Sequence, residues 1–120
     1  MQVIQLAGTE HTPQVHFNKE KSIFEISGRS LADNAVDFYR PIMAWLSGYA
    51  ESPNPKTELV FKIEYMNTAS SKALFDLFSI AQSIDGAKIV WYFQEDDEDM
   101  EETGEEFSSL VKIPFELRAY

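Results

Sequence analysis

Residues 57–93 read "TELVFKIEYMNTASSKALFDLFSIAQSIDGAKIVWYF", and no other part of the chain restricts the fold as strongly. At its start Leu59, Phe61, Ile63 and Tyr65 share one side, with Glu58, Lys62 and Glu64 on the other. That period of two predicts a strand over 58–66. Val60 is apolar on the second side, which predicts a central strand with partial cover there. Leu74, Leu77, Phe78, Ala81 and Ile84 then recur at steps of three and four. They predict a helix over 70–84, stopped by Asp85-Gly86. "AKIVWYF" (87–93) is a near-continuous apolar run and predicts a second buried strand. Strand, helix and strand in this succession imply parallel pairing and a right-handed crossover.

The flanking segments extend this unit. "QVIQL" (2–6) and "QVHF" (14–17) alternate weakly and predict short strands with Thr12-Pro13 as the turn between them. "SIFEISG" (22–28) puts Ile23, Glu25 and Ser27 opposite Ser22, Phe24 and Ile26, and is expected to end at Gly28. "LADNAVDFYRPIMAWLSGYA" (31–50) carries a helical stripe of Ala35, Phe38, Tyr39, Ile42, Trp45, Leu46 and Tyr49. Asp33 or Asn34 is its expected cap, and Pro41 predicts a kink or break. "ESPNPKT" (51–57) reads as a loop. "FSSLVKIPFELRAY" (107–120) predicts a short helix, broken near Pro114, and a terminal extended segment. The whole reads as one α/β domain over residues 1–120, a mixed sheet with packed helices.

Charge narrows the function. Nine of the twelve residues from Glu95 to Glu106 are acidic and none is basic, so this segment holds all but one unit of the net −10. Nucleic acid and anionic membrane surfaces call for basic protein surface and are poor partners for this chain. The chain has no cysteine, which excludes disulfides and thiolate metal sites and suits a reducing cytoplasm. "MQVIQLAGTE" has no basic segment followed by an apolar run, so no signal peptide is expected, and no stretch approaches the 18 apolar residues of a membrane span.

Two segments carry possible chemistry. At the junction "YMNTASSK" (65–72), an amide and three hydroxyls (Asn67, Thr68, Ser70, Ser71) lie where a strand feeds a helix. One reading is structural: Thr68 or Asn67 caps the helix. The other is functional. A helix start offers free N–H groups to an anion, and a phosphoryl group on a first-turn hydroxyl would meet the positive end of the helix dipole.

The acidic run has a metal reading, in which a small metal-binding protein or enzyme uses the carboxylates of 95–106. An EF-hand counted from Asp97 fails, because its sixth and twelfth positions hold Glu102 and Ser108 rather than Gly and Glu. A solvated or partner-facing acidic helix presenting Asp96, Asp97, Asp99 and Glu101 fits charge-block behaviour better. His11 and His16 match no zinc pattern and read as surface residues, while Trp45 and Trp91 read as core. "SGRS" (27–30) has too few glycines for a phosphate loop, and no Gly-x-Ser-x-Gly elbow exists.

Taken together, "ISGRSLADNAVDFYRPIMAWLSGYA", "LVFKIEYMNTASSKAL" and "VWYFQEDDEDMEETGEEF" closely resemble the SiaC family of bacterial regulatory phosphoproteins. The most specific pieces are Gly28-Arg29-Ser30, Asn67-Thr68 followed by Ser70-Ser71-Lys72, and Asp96-Asp97-Glu98-Asp99-Met100. The resemblance implies a STAS-like fold, no catalysis and no cofactor. It implies that Thr68 is phosphorylated by a dedicated threonine kinase (SiaB-like) and dephosphorylated by a PP2C-type phosphatase (SiaA-like), with Asn67, Ser70, Ser71 and Lys72 as switch neighbours. It further implies that the unphosphorylated form binds and activates a diguanylate cyclase (SiaD-like), raising cyclic di-GMP and biofilm formation. Met66 and Ala69 replace the Phe and Ser usual in the family junction, and the proline common after Gly-Arg-Ser is missing. Neither change touches Thr68.

Overall fold

The computed structural model describes residues 1–120. Three strands come first: β1 (Ile4–Leu6), β2 (Gln14–Asn18) and β3 (Ile23–Ser30). Helices and strands then alternate through α1 (Ala35–Tyr49), β4 (Thr57–Met66), α2 (Thr68–Ala81), β5 (Ala87–Phe93), α3 (Glu98–Leu110) and β6 (Phe115–Ala119). All six strands form one sheet in chain order. The β1–β2 and β2–β3 pairs are antiparallel, and β3–β4, β4–β5 and β5–β6 are parallel. The change falls where short connectors give way to helical crossovers, the only connection long enough to return a strand in the same direction.

Crossovers of one hand that advance in one direction along a sheet lay their helices on one face. The core shows this. Buried residues of all three helices (Tyr39, Trp45, Leu74, Phe78, Phe107) form one cluster with Val15, Phe17, Phe24, Ile26, Leu59, Phe61, Ile89 and Trp91 of the sheet. The opposite face has no helix. It carries ion pairs from Lys62 to Glu25 (3.9 Å) and from Lys88 to Glu58 (3.6 Å) and Glu116 (2.7 Å). Lys88 and Arg118, which also pairs with Glu116, together hold that carboxyl below its ordinary range, the bond from Lys88 contributing most. Such exposed pairs add little stability, but they keep a bare sheet face polar.

Several expectations change in detail. β3 does not stop at Gly28. The glycine adopts φ +107°, and the ladder steps there: Gly28 pairs with Ile63 and Arg29 with Tyr65, leaving Glu64 as an extra residue. The bulge reverses the alternation, so Tyr65, expected inward, is 58% exposed. Its ring lies 4.7 Å below the Arg29 guanidinium. Pro41 neither breaks nor ends α1, because Asp37 and Pro41 both lie on the exposed side and water can serve the carbonyl that loses its N–H partner. α1 starts at Ala35 rather than 31, with Asn34 as cap. α2 starts two residues before, and ends three before, the predicted 70–84; Ile84 is buried in the turn that follows. α3 begins within the acidic run at Glu98, and the terminal extended segment is β6, a parallel edge strand.

Candidate functional site

The parallel strands β3, β4 and β5 end at the same edge of the sheet, and each feeds a helix there. The three helix starts are capped by Asn34, Asn67 and Asp97, whose side chains accept from the backbone N–H of Asp37, Ser70 and Met100. Function in α/β sheets gathers at this edge, because helix N-termini and strand ends leave groups free to meet a ligand or partner.

Asn67 sits at the middle of that edge and is fully committed to structure. Its Oδ1 accepts from the Ser70 N–H at 2.8 Å, and its Nδ2 donates to the Ala32 carbonyl at 3.2 Å. Its backbone N–H donates to the Ser30 carbonyl at 3.2 Å, and its carbonyl accepts from the Ser71 N–H at 3.0 Å. One amide side chain thus caps α2 and ties it to the chain leaving β3. Just inside, the Ser30 and Tyr39 hydroxyls share a 2.6 Å hydrogen bond. Burial pushes the Tyr39 phenol up to about 12, against the lowering effect of Ser30, so it stays protonated at any physiological pH.

With Asn67 as cap, Thr68 becomes the first residue of the helix and is exposed. The two structural assignments left open by the sequence are therefore resolved in favour of Asn67. Ser70 is fully buried, Ser71 is half-buried and Lys72 is exposed. Of the three hydroxyl-bearing residues, Thr68 is the most exposed.

Two grooves flank this residue. One, of about 220 Å³, is lined by Met66, Asn67, Thr68 and Ser71 against Thr103, Glu106 and Phe107 of α3. The other, of about 160 Å³, lies between α1 and α2 and is lined by Val36, Arg40, Met43, Ala69, Lys72, Ala73 and Asp76. Sequence reasoning missed Glu106 and the α1 residues. Nothing in their local pattern places them beside Thr68; only the packing of the three helices does.

The acidic residues build the start of α3. Asp97 is the cap of α3, and Glu98, Asp99 and Glu101 occupy its first turn, where the helix dipole favours negative charge. Asp96 and Asp99 are exposed and Glu101 is half-buried. No three His, Asp or Glu side chains converge on a common point. No helix is long and apolar enough to cross a membrane.

The roles at the junction separate experimentally. Asn67→Ala removes a cap and leaves the Ala32 carbonyl without its donor, so it is expected to destabilise the domain by about 1–2 kcal/mol. Thr68→Ala at an exposed first-turn position is expected to stay within about 0.5 kcal/mol of the parent. Urea denaturation of both variants checks this; an equal loss in the two would show that Thr68 shares the capping.

An exposed hydroxyl on a capped helix start thus lies between two grooves, at the end of an α/β sheet where ligands and partners commonly bind. The chain belongs to the SiaC family of regulatory phosphoproteins, whose family model matches residues 6–120. It is 23% identical over 124 residues to an uncharacterized protein of Pseudomonas aeruginosa strain UCBPP-PA14, covering 100% of this chain and 98% of that one. Its fold matches the crystal structure of apo-SiaC from Pseudomonas aeruginosa with a TM-score of 0.89 at 22% identity, over 99% of this chain and 100% of that one. It also matches, with a TM-score of 0.88 at 22% identity, over 98% of this chain and 99% of that one, a chain in the structure of diguanylate cyclase SiaD in complex with its activator SiaC from the same organism.

Proposed function

We propose that this protein is a non-catalytic, cytoplasmic phospho-switch: reversible phosphorylation of Thr68 controls its binding to, and activation of, a diguanylate cyclase. A SiaB-like threonine kinase adds the phosphate, a PP2C-type, SiaA-like phosphatase removes it, and the unphosphorylated form engages a SiaD-like cyclase. The observation that carries the reading is the exposed Thr68 side chain at the first position of α2, beside a fully used Asn67. Family membership and the cyclase complex of a structural neighbour support it.

Physical chemistry favours this position for a switch. A phosphate there gains from the dipole of α2, by roughly 0.3–1 kcal/mol at an exposed site, so the fold tolerates it. It also adds roughly −1.5 to −2 charge beside both grooves. A partner packed over the α2 start must then desolvate or pair a dianion, and one selected for the neutral hydroxyl has no group to do so. Incubation with the cognate kinase and ATP is expected to add one phosphate to the parent protein and none to Thr68→Ala. Equal labelling of Thr68→Ala, read by intact mass and peptide mapping, rejects the assignment.

A further inference from the structure

Phosphorylation at Thr68 has to be felt by the surface around it, and the surroundings are asymmetric. On the α3 side stands Glu106, which repels a phosphate. On the α1 side stands Lys72, one helical turn beyond Thr68 on the same face of α2. In the unmodified protein Lys72 Nζ donates to Asp76 Oδ1 at 2.9 Å, a further turn along. Its side chain is 72% exposed and free to swing, whereas that of Asp76 is 42% exposed. Lys72 and Asp76 both line the α1–α2 groove.

Lys72 thus lies four residues from each of two acceptors, and the geometry of a helix does not treat them alike. Side chains lean toward the helix N-terminus, that is toward Thr68 and away from Asp76. An acid four residues before a lysine is the better ordered pair; a lysine four residues before an acid, the present arrangement, is the weaker. A phosphate also offers more charge and more acceptor oxygens than a carboxylate. Two other cations are already engaged. Arg40 pairs with Asp37 at 2.9 Å, and Arg29 donates to the Glu10 carbonyl at 3.0 Å and stacks on Tyr65.

Resting on the assignment of Thr68 as the modified residue, we propose that Lys72 reads the phosphate: on modification its ammonium leaves Asp76 for the phosphoryl oxygens. Asp76 is then left as an unpaired carboxylate on the wall of the α1–α2 groove. Modification at one residue so changes the charge of a groove that it does not itself line. Lys72 acts as a positioning residue that carries the signal from the helix start to the adjoining surface.

The test uses full-length protein with phosphothreonine placed at position 68 by genetic code expansion, so it does not depend on any kinase. Phosphorus NMR follows the second ionisation of the phosphate with pH. A cation beside the dianion lowers that pKa, so Lys72→Met is expected to raise it by about 0.3 unit. Lys72→Arg is expected to stay near the parent. Carbon NMR at fixed neutral pH follows the Asp76 carboxyl: its chemical shift is expected to change on phosphorylation more in the parent than in Lys72→Met, because only the parent loses an ion pair. An unchanged phosphate pKa in Lys72→Met, or an equal chemical-shift change of the Asp76 carboxyl in both backgrounds, overturns the proposal. Failure of the kinase to label Thr68 would instead count against the assigned function and leave this pairing intact.

Discussion

Phe78→Ala is expected to destabilise the domain by about 3–5 kcal/mol, toward the upper end for a buried aromatic truncation. Phe78 is fully buried on α2 and joins four other elements through its ring. Ring centroids lie 5.0 Å from Phe61 of β4, 5.0 Å from Phe107 of α3, 5.6 Å from Phe115 of β6 and 6.4 Å from Trp91 of β5. All four arrangements are edge-to-face, each of a kind that adds about 0.5–1.5 kcal/mol beyond the area it buries. The walls of the resulting cavity are rings held from several elements at once, so they close in poorly. Urea denaturation measures the loss. Phe75→Ala, on the half-buried side of the same helix, is the comparison and is expected to cost clearly less. A loss under about 2 kcal/mol for Phe78→Ala would contradict its central place in the core.

Gly104→Val is expected to be nearly as severe, at about 3 kcal/mol, and to act on α3. A Cβ at this position falls 2.5 Å from Trp91 Cδ1, 2.8 Å from Trp91 Nε1 and 3.0 Å from Leu117 Cδ2. The indole cannot retreat: Trp91 is fully buried, and its Nε1 donates to the Met100 carbonyl at 3.1 Å. The helix must lift instead, loosening Met100 and Phe107 from the core. Gly104→Ala meets the same contact with a smaller group and recovers up to about 1 kcal/mol of helix propensity, so its loss is smaller. Thermal melts rank the three proteins. A Gly104→Val variant melting with the parent would show that α3 does not sit against Trp91.

Gly104 also illustrates what one dimension conceals. Within "EDDEDMEETGEE" it looks like part of a solvated charge block, yet it is buried directly against Trp91 and Leu117 of the sheet. Side chains whose burial follows local periodicity were legible: Phe24 and Ile26 on β3, Leu59, Phe61 and Ile63 on β4, Leu74, Leu77 and Phe78 on α2. Tyr65 was misplaced because the bulge opposite Gly28 is set by how β3 pairs with β4, not by either strand alone. Pro41 was over-read because its effect depends on whether the stranded carbonyl faces water. At the site, an amide and three hydroxyls at a strand–helix junction were visible, and so was the need for a cap. Which residue caps, which hydroxyl is buried and which grooves flank Thr68 depended on hydrogen bonds from the β3 end and on helix packing across long sequence separations.

The central claim is that a phosphate on Thr68 acts at the surface and leaves the domain folded. The direct measurement is calorimetric titration of the proposed diguanylate cyclase partner with unphosphorylated and fully Thr68-phosphorylated protein, alongside thermal melts of both. The phosphoprotein is expected to melt at or slightly above the parent, since the helix dipole favours the added charge. It is expected to bind about 100-fold more weakly or worse, the consequence of an incompletely neutralised dianion at a buried contact. Thr68→Asp, with less charge and fewer acceptor oxygens, is expected to fall between the two, and Thr68→Ala to bind as the parent does. A phosphoprotein that binds the cyclase as tightly as the unmodified form, or that melts well below it, contradicts the account.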